Sequence, residues 1–190
     1  MGTPKAGLVR VRAATVRVRE QFVMARFGKL ARERFRAAAS QPLRSVLLTP
    51  GDIWVDFALF LEATQLVIDL FGDGDIQTAR RIGAFGAEAN MGVWRSIVYR
   101  VLSPRRVLDL AAAFWSHHYD GGRLSTVLDG KNGIRIRLED FPEPDMLHCL
   151  SIEGWSKRII EIGNPKHMNL VMSACRTRGD PVCEWVGDWE

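Results

Sequence analysis

Residues 123–139 read RLSTVLDGKNGIRIRLE, two period-two runs on either side of a turn. In the second run Ile134, Ile136 and Leu138 alternate with Arg135, Arg137 and Glu139. Successive strand side chains point to opposite faces, so this alternation predicts a strand with an apolar core side and a charged solvent side. Leu124 to Leu128 is its partner strand. Asp129-Gly130-Lys131-Asn132-Gly133 supplies residues suited to reversing the chain in a hairpin.

Working outward, Phe141-Pro142-Glu143-Pro144 forms a rigid connector, and Asp145 can cap a helix through Leu147, Leu150, Ile152, Trp155, Ile159 and Ile160, closed by Gly163. Met168 to Ala174 and Val182 to Trp189 read as two more strands, joined at Arg178-Gly179-Asp180-Pro181.

Upstream, Gly7 to Ala14 alternates as a short edge strand, and Val16 to Ala39 has helical spacing interrupted by Gly28. Gln41 to Gly51, with Pro42 and Pro50, is expected to be a linker. Asp52 is expected to cap a helix from Ile53 to Leu70, ended by Gly72-Asp73-Gly74-Asp75. The next helix contains Ala79, Ile82, Phe85, Ala89, Val93 and Ile97. Its small residues Gly83, Ala84, Gly86 and Ala87 would let another helix or a ligand approach the backbone. Ser103-Pro104 opens a helix that ends near Tyr119. The sum is an α+β fold, with an antiparallel sheet covered by helices on one face. At 190 residues one domain, 1–190, is expected, mainly helical over 1–104.

No run of roughly 18 apolar residues is present to span a membrane, and the first residues lack a secretory pattern, so a cytoplasmic protein is expected. Residues 1–44 hold eleven Lys/Arg and two acids, while the rest of the chain is net acidic. The basic half could meet the chain's own acidic half, a second subunit, a partner protein, an acidic lipid surface, or nucleic acid. No nucleic-acid motif supports the last, so nucleic acid is not an expected partner.

Cys149, Cys175 and Cys183 are the sharpest chemical signal. A turn brings the last two together, and a helix over that corner could bring the first. Buried thiols, a metal site, a redox pair and a nucleophile all remain open. A fourth metal ligand could come from His148, His167, Asp180, Glu184 or water. His117 and His118 are consecutive, not at the i, i+4 spacing of a helical metal site, though haem ligation by one of them is open. Phosphate loops, nucleophile elbows and His-Glu-x-x-His pairs are absent, which argues against an enzyme.

The C-terminal third resembles the 4-vinyl-reductase-type domain. That family shares a superfamily with haem-nitric-oxide-binding-type domains and vesicle-tethering subunits. The resemblance rests on Cys149 with Gly154-Trp155, Gly163, Cys175, the Arg178-Gly179-Asp180-Pro181 turn and Cys183-Glu184-Trp185, and covers roughly 105–190. It implies an apolar pocket between helices and sheet, sensing of small aromatic effectors, and zinc held by three cysteines and a glutamate. Cys149, Cys175 and Cys183 match the cysteines, whereas Met172 stands where the glutamate falls. Phe85, Trp94 and Phe114 are the expected ligand-binding residues. The implied function is non-catalytic binding of a small apolar ligand, exercised through a partner protein or a homodimer. The alternative is a scaffold subunit without ligand, docking through Trp54, Phe57 and Phe60 or through the basic N-terminal helix.

Overall fold

The computed structural model describes residues 9–90, 115–130, 132–162 and 167–190. Strand β1 (Arg10–Arg12) leads directly into helix α1 (Ala13–Ala38). Val16, Arg19, Glu20 and Val23 are buried at helical spacing on α1, and Gly28 breaks it with φ 85°, a conformation that favours glycine.

The stretch expected as a linker is helix α2 (Gln41–Leu48). The Ser40 hydroxyl accepts from the Leu43 N–H, and Pro42 sits in the first turn, where its missing N–H costs nothing. Leu43, Val46 and Leu47 then bury one face. The prolines obscured this spacing.

A second correction concerns the next helix. Residues 54–56 form strand β2, antiparallel to β1 with Val11 opposite Val55, and helix α3 (Phe57–Phe71) starts only after it. Asp56, not Asp52, is the cap, accepting from Ala58 N at 2.8 Å. Asp52 serves the other helix, accepting from Ala14 N at 2.9 Å. The later start turns Phe57 and Phe60 inward, each 1 % exposed, so neither can form the docking face expected of them. Trp54 is covered by the Arg12 guanidinium, 4.2 Å from its ring centre.

Helix α4 (Thr78–Asn90) follows the Gly-Asp turn, and Asp75 accepts from Gln77 N. The helix expected from Ser103 lies mostly outside the described residues; its end is helical at 115–118. Then come β3 (Arg123–Asp129), β4 (Gly133–Glu139), α5 (Met146–Ile162), β5 (Asn169–Ala174) and β6 (Cys183–Asp188).

The main sheet is antiparallel in the order β3-β4-β6-β5. Leu124 faces Leu138, Ile136 faces Trp185, and Trp185 faces Met172, so one sheet face is a continuous apolar surface under the helices. On the other face Glu184 accepts from Arg135 at 2.7 Å, Arg137 at 2.5 Å and Ser173 at 2.9 Å. Together these form the α+β architecture expected, N-terminal helices packed on an antiparallel sheet.

Helices α4 and α5 touch backbone to backbone. A Cβ on Gly83 would lie 2.0 Å from the Ser151 carbonyl oxygen, and one on Gly154 2.0 Å from that of Arg80. The bidentate Arg80–Glu153 pair, at 2.7 and 3.1 Å, flanks this contact. Much of the basic N-terminal half is absorbed internally. Arg17 donates to the carbonyls of Val46, Thr49 and Gly51, and Arg44 to those of Arg36, Ala37 and Ala39. Each guanidinium thereby closes a helix C-terminus, where positive charge is favoured.

Candidate functional site

Two sites lie along α5. At its first turn the Asp145 carboxylate accepts from Leu147 N at 2.8 Å and fixes the helix start, which carries Cys149 over the β5–β6 corner. A short 3-10 turn, Arg176–Arg178, with Gly179 at φ 92°, makes that corner. Asp180 accepts from Cys175 N at 2.7 Å and holds the turn closed.

All three sulfurs are buried, unbridged and within 4.8 Å of one another. Cys149 Sγ is 3.4 Å from Cys183 Sγ and 3.8 Å from Cys175 Sγ. Sulfurs around tetrahedral zinc at about 2.3 Å stand roughly 3.8 Å apart, so the donor set fits a thiophilic metal. Cys183 is the thiol held low, by S–H donation from Cys149 and N–H donation from Arg176, against its burial. Cys149 is pushed up by the same hydrogen bond and by burial.

Among the described residues no histidine or carboxylate completes the cluster. Met172 packs into the core. Glu184, next to Cys183 on β6, points to the opposite sheet face, as strand alternation requires. Asp180 is engaged with the corner backbone, and His167 is exposed near Glu190. Thr177 Oγ1 lies 2.9 Å from Cys175 Sγ.

His148 is 1 % exposed, caged by Phe57, Phe60, Trp115, Tyr119 and Phe141. Neither ring nitrogen finds a partner among the described residues. Burial, aided by the charge of Arg19, lowers it to about 3, so the ring is neutral.

The second site is a cavity of about 90 Å3 farther along α5. Val18 and Arg19 of α1, Phe60 of α3, and Ile82, Gly83 and Gly86 of α4 line one side. Trp115, His118, Tyr119, Leu124 of β3, and Ser151, Ile152 and Trp155 of α5 complete the described wall. The small residues of α4 thus do both things open to them, since Gly83 seats α5 and Gly83 and Gly86 also border the cavity.

Phe85 is not among the described lining residues; it packs edge-on against Phe22 at 5.6 Å. Trp94 and Phe114 lie outside the described residues. The sequence reading missed Arg19, which lines the cavity at 3 % exposure. Its spacing with Val16 and Val23 on the buried face of α1 was the available signal.

No family model matches this chain, and neither does any curated protein. Solved structures do. An H-NOX protein from S. oneidensis in the Fe(II)NO ligation state is 15 % identical with a TM-score of 0.67, covering 94 % of this chain and 99 % of that one. The unliganded Fe(II) H-NOX protein from K. algicida is 11 % identical, with a TM-score of 0.65 and coverages of 94 % and 96 %. The SO2144 H-NOX domain from Shewanella oneidensis in the Fe(II)CO state is 16 % identical, with a TM-score of 0.66 and coverages of 94 % and 98 %. Over the described residues the cavity, at about 90 Å3, is below the roughly 300–1,000 Å3 of drug-sized ligand pockets, and as described it has no room for a haem. From β1 to β6, the fold of this chain is similar to that of these H-NOX structures.

Proposed function

We propose that this chain is a non-catalytic sensory or carrier domain of the 4-vinyl-reductase type, binding a small, largely apolar molecule and acting through a protein partner. The observation that carries the reading is the cavity between α1, α3, α4 and α5, lined mainly by apolar side chains within an H-NOX-like fold. Phe85, on the α4 wall, together with Trp94 and Phe114, is proposed to extend that site. The size of the cavity favours a single-ring or short-chain ligand.

In the same reading Cys149, Cys175 and Cys183 hold a zinc ion as thiolates, which would tie the start of α5 to the β5–β6 corner. A partner surface is favoured by one observation. Met24, Phe27 and Leu30, flanking the Gly28 break in α1, are 41 %, 47 % and 77 % exposed. Among the described residues no helix is long and apolar enough to cross a membrane.

Native mass spectrometry of the purified full chain, with elemental analysis, tests the proposal. A small-molecule adduct or saturable binding of toluene-sized compounds is expected, with one zinc per chain. A protein that binds none of these compounds overturns the ligand reading, and one that refuses zinc overturns the metal reading.

A further inference from the structure

We infer that the ligand of this cavity is an organic monoanion, a small carboxylic acid whose carboxylate pairs with Arg19 and whose hydrocarbon part fills the apolar end. The inference rests on reading the cavity as the ligand site and adds the ligand's charge. Arg19 is 3 % exposed, in the wall of the cavity. Its hydrogen bonds all go to neutral oxygens: Nε to Thr64 Oγ1 at 3.0 Å, Nη1 to the Thr15 carbonyl at 2.8 Å, and Nη2 to Ser151 Oγ at a long 3.5 Å. A guanidinium carries five N–H groups, so one on each Nη remains available.

Among the described residues no carboxylate pairs with it, although a cation buried to this degree ordinarily has an acid beside it. The faces of Phe60, 3.6 Å from Cζ, and the helix packing hold the group in place without neutralising it. Even with its burial the group stays charged at neutral pH, lowered only to about 10. A buried cation in the wall of a mainly apolar cavity is complementary to one carboxylate, which accepts both remaining N–H groups side by side. The single charge and the apolar remainder disfavour a phosphate or a dicarboxylate. Thr15 and His118, whose Oγ1 and Nδ1 are 3.2 Å apart, border the same space.

Calorimetric titration of the full chain with benzoate and with its neutral counterpart benzamide tests this directly. Benzoate is expected to bind at least tenfold more tightly than benzamide. In Arg19→Met that ratio should fall to about one, and in Arg19→Lys, which keeps the charge but loses the planar fork, it should be partly restored. Equal binding of the two probes by the unaltered chain overturns the carboxylate inference while leaving the pocket reading intact. Binding of neither overturns both. The ratio in the unaltered chain decides the matter even where Arg19→Met fails to fold.

Discussion

Gly154→Ala should loosen the α4–α5 contact that forms one wall of the cavity. The new Cβ would lie 2.0 Å from the Arg80 carbonyl oxygen, 2.7 Å from its carbon and 2.8 Å from the Arg80 Cα, all main-chain atoms that cannot rotate away. Ordinary contact begins near 3.4 Å, so the helices must part by more than an ångström at this point. Overpacking of an interior costs about 1–3 kcal/mol, and a clash with rigid backbone belongs at the upper end. Alanine returns about 1 kcal/mol through helix propensity. The net loss is therefore about 2 kcal/mol, or roughly 4–8 °C in Tm for a chain of this size. Thermal unfolding followed by far-UV circular dichroism reads it. Gly86→Ala, one turn along α4 from Gly83, meets only a Val18 methyl at 3.2 Å and serves as the comparison, with little change expected. A Tm for Gly154→Ala at or above that of the unaltered chain would refute the backbone-contact reasoning.

His148→Leu should raise stability at pH 7 by about 1 kcal/mol, because it removes two buried nitrogens without partners while keeping an apolar group in the aromatic cage; chemical denaturation measures this. Asp120→Asn should lower stability at neutral pH by less than about 1 kcal/mol, as suits an exposed pair. Its carboxylate is held below its ordinary value because hydrogen bonds from the Arg10 backbone and side chain outweigh desolvation. That contribution is present above the unfolded pKa and is lost as pH falls through the folded one. The gap between the two proteins should accordingly close below about pH 4 in a pH series of unfolding curves. Cys175→Ser should reduce bound zinc at least tenfold by elemental analysis, and chelation should lower the Tm of the unaltered chain but not of the variant.

The elements with strict periodicity were the ones legible in the sequence. The β3–β4 hairpin announced itself through Ile134, Ile136 and Leu138, and α5 through its Asp145 cap. The convergence of three cysteines followed from placing a helix over a hairpin corner, which the structure bears out. What escaped was short or context-dependent. Helix α2 hid behind Pro42, since a proline within the first turn reads like a linker until the buried Leu43, Val46 and Leu47 are seen together. Strand β2 spans Trp54–Asp56, too short for alternation to register, and it shifted the α3 cap from Asp52 to Asp56. Arg19 was counted as one of many basic residues, because pattern alone does not distinguish a buried guanidinium from a solvated one. Arg17 and Arg44 misled in the same way, since their partners are carbonyl oxygens at helix ends and leave no acidic counterpart in the sequence.

The Gly83 and Gly154 contact also determines which positions can change ligand selectivity. Where two main chains meet, the wall's contour is fixed by peptide groups and offers no side chain to enlarge or trim. Divergence among descendants, or laboratory redesign, therefore works through lining side chains away from that contact, such as Val18, Phe60 and Leu124. A library randomised at those three positions should yield altered binding profiles at far higher frequency than one randomised along the α4–α5 seam.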